Sequence, residues 1–120
     1  MEELIRIKEI KPEISFEDLT KLDIRLCKIE SVEKVEKKNK LYKLLINTGI
    51  DKRVVISGIA ENFTNEDLSG KIFPFVLNLP PRKIAGIESF GMIILAEDAL
   101  SGLLKVVPES NDYGIGAILI

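Results

Sequence analysis

Apolar side chains recur at every second position in short runs of this chain, and the runs stop at turn-forming residues. That period fits strands half buried on one face. Leu22, Ile24 and Leu26 alternate with Asp23 and Arg25, and Tyr42, Leu44 and Ile46 form a second run. Val54 and Ile56 resume the pattern after Thr48-Gly49 and Asp51-Lys52, which predicts a hairpin. In the first run the apolar phase slips to Cys27 and Ile29, as in a strand carrying a bulge. Ile72 to Leu79 reads as a further strand with Phe73 and Phe75 in the core and Pro74 confined to an edge or bulge position. Met92 to Ala96 reads as the fifth. Ser15-Phe16-Glu17-Asp18 has the form of a capping box, so a short helix should start there, and Asn65 to Leu68 before Gly70 reads as a single helical turn.

Five strands with a short helix between the third and fourth is the order of a five-stranded OB-fold barrel, so the expected class is mainly all-β with short helices. At 120 residues there is room for one core, and no linker divides the chain. The expected sections are an N-terminal extension over 1–13, the barrel over 14–99 and a C-terminal extension over 100–120. No run of eighteen apolar residues exists, and MEELIRIKEI lacks the basic and apolar regions of a secretory signal. A cytoplasmic protein with no membrane partner is expected. Met1 and the fit to one domain favour a complete gene product.

Catalysis is tested by subtraction. The chain has no histidine and one cysteine, Cys27, so an intrachain disulfide and a Cys/His zinc site are excluded. The commonest general base near pH 7 is missing, and Cys27 has no imidazole to activate it. GIESFG resembles a nucleophile elbow, but Ile87 stands where G-x-S-x-G needs glycine before Ser89. No phosphate loop of the G-x-x-x-x-G-K-[ST] form occurs, and Glu97-Asp98 lacks calcium-loop spacing. No enzyme activity, cofactor or metal is expected.

The net charge is −2, yet the charges are segregated. Lys34, Lys37, Lys38, Lys40, Lys43, Lys52 and Arg53 are opposed within their stretch only by Glu36 and Asp51, and Arg82 and Lys83 add to them. From Ile84 onward only Lys105 opposes Glu88, Glu97, Asp98, Glu109 and Asp112. Because screening acts over about 8 Å at physiological salt, a one-sided basic face can attract a polyanion despite overall acidity. Standing alone, the run also fits a solvated lysine-rich hairpin.

Residues 78 to 98, NLPPRKIAGIESFGMIILAED, join the fourth strand to the fifth. Pro80 and Pro81 stiffen the segment that carries Arg82 and Lys83. Gly86 and Gly91 bracket Glu88-Ser89-Phe90, allowing positive φ or close backbone approach beside a hydroxyl. Such a loop suits a sugar-phosphate edge. It also fits a long turn in which Arg82 pairs with Glu88.

That segment, preceded in order by ISFEDLTKLDIRLCKI, NKLYKLLINTG, VVISGIA and DLSGK, resembles the tRNA-binding domain family of the Trbp111 and EMAP II type. This is an OB-fold module also found at the C-terminus of methionyl-tRNA synthetase, and the resemblance spans residues 14 to 108. It implies that Asn78, Arg82, Lys83, Ser89 and Met92 lie on an RNA-facing loop, and that Lys40 and Arg25 match basic positions of the first two strands. Read from the residues alone, Ser89 also fits a turn hydroxyl, Asn78 a strand-end cap and Met92 a core filler. Phe90 either anchors the loop or stacks on a base. Two positions depart from the family: Cys27 stands where a small residue is usual, and Lys38-Asn39-Lys40 lacks the acidic residue before the motif's lysine.

The chain ends in Ile115-Gly116-Ala117-Ile118-Leu119-Ile120, an apolar stretch that must be buried against its own barrel or another subunit. The resemblance implies the latter, a homodimer with two binding faces. Five Phe, two Tyr and no Trp are too few for a base-stacking platform, so recognition should follow the shape of a folded RNA. The function expected is structure-specific, sequence-nonspecific binding of tRNA, as an accessory (beta) subunit or detached C-terminal domain of methionyl-tRNA synthetase, with that enzyme's catalytic subunit a further partner. The alternative is a protein-interaction module, either an export-chaperone-like dimer or a docking subunit of a synthetase complex.

Overall fold

The computed structural model describes residues 9–98, 101–106 and 114–119. Parts of both expected extensions, including Glu109, Asp112 and Ile120, lie outside the described residues. In chain order the elements are α1 (Phe16–Thr20), β1 (Ile24–Val35), β2 (Lys38–Asn47), β3 (Lys52–Ser57), α2 (Asn65–Leu68), β4 (Ile72–Val76), β5 (Arg82–Ile84), β6 (Ile87–Ser89), β7 (Met92–Ile93), β8 (Ala96–Glu97) and β9 (Leu104–Lys105). Five strands form one antiparallel sheet in the order β3-β2-β1-β4-β7, with α2 between β3 and β4 in sequence. This is the mainly β, OB-like architecture expected from the strand pattern.

Local chemistry sets the boundaries. The Ser15 hydroxyl accepts from the Asp18 N–H at 3.0 Å and starts α1. Thr64 and Asp67 form a complete capping box around α2. Strand β1 is long enough to serve two neighbours: Lys28 to Val35 pair with β2, and Ile24 to Lys28 pair with β4. The bulge in β1 does not lie at the apolar phase slip. Pairing with β4 is unbroken through Leu26 and Cys27, and the register shifts instead between Ile29 and Ser31 on the β2 side. Leu26 and Cys27 are both buried because β1 is covered on both faces at that point. Side-chain parity alone reports such a place as a slip.

The β2–β3 turn determines which residues of β3 enter the core. The Thr48 hydroxyl accepts from the Asp51 N–H at 3.0 Å and lies 2.9 Å from the Asp51 carboxylate, which sets Asn47 opposite Lys52. Leu44 then faces Val55, while Lys43 faces Ile56 and Leu45 faces Val54. Val55 is therefore the residue of β3 that joins the main core cluster, while Ile56, also buried, and the half-buried Val54 lie on the other face. Packed with Val55 are Cys27, Ile29, Leu44, Ile46, Leu68, Phe73 and Phe75. Burial pushes the Cys27 thiol up to about 11, so it stays protonated and inert at neutral pH.

Pro74 occupies the edge-like position expected of it. Its carbonyl accepts from the Ile94 N–H at 2.8 Å, so its missing donor points to the side of β4 where β7 has ended. The expected fifth strand is split. Met92–Ile93 stay in the main sheet, whereas Ala96–Glu97 leave it to pair with Leu104–Lys105. Between β4 and β7 the chain makes a hairpin of β5 and β6, turned by Ala85 (φ 51°) and Gly86 (φ 80°). Two successive positive φ values match the twist of the paired strands.

The edges of the sheet, β3 and β7, are drawn together by polar groups. The Phe90 N–H donates to the Val54 carbonyl at 2.9 Å, and the Ile56 N–H donates to the Ser89 hydroxyl at 2.9 Å. Arg53 reaches across the same seam. Its Nη1 donates to the Leu77 carbonyl at 2.9 Å and the Phe90 carbonyl at 3.5 Å, while Nε and Nη2 hold Asp51 at 3.0 and 3.3 Å. At Gly91 (φ +151°) a Cβ would lie 2.9 Å from the Val76 carbonyl oxygen, so only glycine lets the chain pass β4 this closely.

The C-terminal segment docks on its own sheet through backbone. Gly116 N–H donates to the Leu26 carbonyl at 2.7 Å, Leu26 N–H to Ala117 at 2.8 Å, and Leu119 N–H to Ile24 at 2.9 Å. The side chains of Ile115, Ile118 and Leu119 remain exposed. Docking thus satisfies main-chain groups of β1 without covering the apolar ending.

Substituting Arg53→Lys keeps the charge but removes the fork that spans the seam. Unfolding in urea should then show a loss of about 2 kcal/mol, the usual worth of charge-assisted hydrogen bonds to carbonyls. An unchanged midpoint and slope would mean that the seam does not depend on the guanidinium.

Candidate nucleic-acid interface

The hairpin of β5 and β6 presents Arg82 and Lys83 on exposed backbone. Register places Lys83 opposite Glu88 and Arg82 opposite Ser89, so the anticipated Arg82–Glu88 partners are not direct cross-strand neighbours. Among the described residues neither cation takes part in an ion pair. Both tips are available to a ligand, on a hairpin whose far strand is tied to β3 through Ser89.

The other residues brought forward by the family resemblance fall into different settings. Ser89 is 3% exposed, and its hydroxyl accepts from Ile56 N–H and donates to the Gly91 carbonyl at 3.4 Å. Asn78 is exposed but its amide is engaged: Oδ1 accepts from the Asp23 N–H at 2.8 Å and Nδ2 donates to the Lys21 carbonyl. It fastens the start of the loop to the α1–β1 junction. Arg25 grips Asp23 with both Nε and Nη2, at 2.8 and 3.2 Å, and only 21% of its side chain is exposed. That hydrogen bond raises the Arg25 pKa and holds the Asp23 carboxyl below the usual carboxylate range. Met92 is 55% exposed and lines a groove beside the hairpin. Lys40 is exposed on β2 with the parity of Tyr42 and Leu44, whose side chains turn inward.

Lys43 belongs to the surface next to the hairpin, although it was not singled out from the sequence. It faces Ile56 across β2 and β3 on the outer side of the sheet. Its parity with Leu41 and Leu45, against Tyr42 and Leu44, is the signal that separates it from Lys40. Within the basic run, Lys34, Lys37, Lys38, Lys40 and Lys43 carry no ion pair among the described residues. Arg53 is committed to Asp51 and the seam, and Lys52 lies 4.0 Å from Glu30. Within the basic run and the loop, the cations without an ion pair among the described residues are therefore on the β1–β2 hairpin, on Lys43 and on β5.

Between the end of β3 and the loop after β4 lies a groove of about 600 Å³, lined by Ile56, Leu79, Pro81, Ile84 and Met92, with Arg82 among its walls. Among the described residues no group of Cys, Asp and Glu side chains is placed to hold a metal ion, and no helix is long and apolar enough to cross a membrane.

Fold and surface together define an OB-like β domain that displays, on its outer sheet face and on a fastened hairpin, cations without ion pairs among the described residues. Residues 24–117 match the family described as "Putative tRNA binding domain", and the chain belongs to that family. A methionine–tRNA ligase of Cytophaga hutchinsonii is 46% identical over 113 residues, which cover 94% of this chain and 16% of the ligase. The chain thus spans about 16% of the length of that relative. Among solved structures, a MetRS related protein from Pyrococcus horikoshii superposes with a TM-score of 0.85 at 33% identity, covering 92% of this chain and all (100%) of that one. A CsaA chaperone protein from Picrophilus torridus superposes with a TM-score of 0.78 at 26% identity, covering 90% of this chain and 100% of that one.

The turn that sets the register of β3 is acid-sensitive. Hydrogen bonds from Arg53, and then from Thr48, hold the Asp51 carboxyl below its ordinary value. A depressed native pKa contributes stability that is complete above the unfolded value of about 3.9 and is lost as pH falls through the native one. Thermal unfolding between pH 2.5 and 7 should show Asp51→Asn less stable than the parent at pH 7 and less steeply destabilised below about pH 4. Parallel acid limbs would exclude Asp51 as their source.

Proposed function

We propose that this domain binds folded tRNA by its contour, without catalysis and without reading base sequence. The observation that carries this reading is the pair Arg82 and Lys83, exposed and without ion pairs on a hairpin whose conformation is set by Pro80, Pro81, Ala85, Gly86 and the Ser89 tie to β3. A guanidinium can grip a phosphate with two parallel bonds, and a pre-set hairpin loses little freedom on binding. Lys43 and the lysines of the β1–β2 hairpin extend the cationic surface, and membership of the tRNA-binding family supports the ligand class. Arg25, Asn78 and Ser89 serve the site chiefly by fixing its frame, since their polar groups are engaged within the fold. The similarity to methionine–tRNA ligase supports a cytoplasmic role as an accessory subunit or detached domain of that enzyme, raising its hold on tRNA.

Replacing Arg82 and Lys83 by Glu should abolish tRNA retention in a filter or anisotropy assay while the circular dichroism spectrum is kept. For the parent, about five neutralised phosphates give a several-hundred-fold loss of affinity over a fourfold rise in monovalent salt. Retention that survives the double substitution would exclude the site.

A protein-binding role has one observation of its own. Ile115, Ile118 and Leu119 are exposed on the docked C-terminal segment, as are Phe16 and Leu19 on α1 and Ile50 in the β2–β3 turn. Apolar groups in this number fit burial against a second copy, giving a homodimer with two RNA faces, or against a synthetase catalytic subunit. Light scattering on the isolated chain should return twice the chain mass, and Ile118→Glu should return it to one. A monomer at micromolar concentration would leave that surface to a different protein.

A further inference from the structure

We propose that the groove between β3 and the loop after β4 seats one unpaired nucleotide base of the bound RNA, which it holds by apolar contact without reading its identity. The proposal rests on the tRNA-binding reading and deepens it. A loop that only gripped phosphates would have no use for exposed apolar groups beside its cations, yet Leu79 and Met92 are 42% and 55% exposed there. With Ile56, Pro81 and Ile84 they line a groove of about 600 Å³, within the range of about 300–1,000 Å³ common for small-molecule sites. Arg82 stands among its walls and Lys83 follows on the same strand, so a base in the groove would place its flanking phosphates near two unpaired cations.

The alternative occupant of an apolar groove beside a strand is an extended peptide, which gains most of its hold by adding to the free edge of a sheet. On the β3 side of the groove that edge is already in use. The Val54 carbonyl accepts from Phe90 N–H, and Ile56 N–H donates to the Ser89 hydroxyl, so this stretch of β3 has no ladder to offer. A flat base needs none. RNA elements with splayed-out bases are those that proteins can approach in this way, whereas a continuous duplex offers none. The domain would then recognise folded RNA in part by the presence of an unstacked nucleotide, whichever letter it carries.

Three RNA hairpins separate the possibilities by fluorescence anisotropy: one with a single bulged nucleotide, one with an abasic residue at the bulge, and one fully paired. The base-bearing bulge should bind about five- to tenfold more tightly than the abasic one, the lower part of the range for a stacked base because the walls are aliphatic. Leu79→Ala should move that ratio towards one. Equal affinity for base-bearing and abasic bulges overturns the proposal while leaving tRNA binding intact, as does a ratio that Leu79→Ala does not alter. Displacement of RNA by an apolar peptide, with no difference between the two bulges, assigns the groove to protein. With folded tRNA as the reference ligand, loss of binding to all three hairpins but not to tRNA overturns the groove proposal alone, and loss of binding to tRNA as well overturns both readings.

Discussion

The reach of Arg53 from β3 to the carbonyls of Leu77 and Phe90 is the contact on which the outer surface depends. β3 and β7 end the five-stranded order, and their edges carry main-chain groups that need partners. Ser89 and Phe90 answer the groups of Ile56 and Val54, and the guanidinium spans the remaining gap while Asp51 fixes its orientation. Leu77 precedes the loop and Phe90 closes it. One side chain therefore touches both ends of the segment that carries Arg82 and Lys83, so the hairpin is placed by the sheet and not only by its own turn.

This arrangement divides the basic residues into two kinds. Arg25 and Arg53 each sit two residues after an aspartate of the same strand region and spend their forks on it, at Asp23 and Asp51. Their charge is neutralised locally, and their guanidinium groups are engaged within the fold. Among the described residues, Arg82, Lys83 and Lys43 have no ion-pair partner. A chain with a net charge of −2 can still present a locally positive surface where its basic residues cluster, although Glu33 and Glu88 stand opposite Lys43 and Lys83 in their ladders and moderate it.

Strand order, both helices and the aromatic core of β4 were legible in the sequence, because period-two alternation and the two caps are local signals. What escaped was decided between elements. Val55 joins the main core cluster and Ile56 is buried on the opposite face, because Thr48 and Asp51 set the register of β3, and a slip of one residue reverses every side chain. The slip at Leu26 and Cys27 marks a strand covered on both faces, not a bulge. In the loop, the motif that brought Asn78, Ser89 and Arg82 to notice mixes residues that hold the frame with residues that face outward. Only partners distant in sequence, such as Asp23 for Asn78 and Ile56 for Ser89, separate the two.

Parity across the sheet also explains why rigidity and charge occur together on one side. Of the outward-facing residues of β2 and β3, Val54 and Ile56 bond the loop through Phe90 and Ser89, and the inward-facing residues fill the core. Ile56 is 5% exposed although it stands apart from the core cluster, so the loop covers it as a second, smaller apolar layer. That layer holds the loop against β3 by packing, and packing of this kind does not weaken with salt. Ionic strength can then weaken the field of the loop's cations without loosening the geometry that places them.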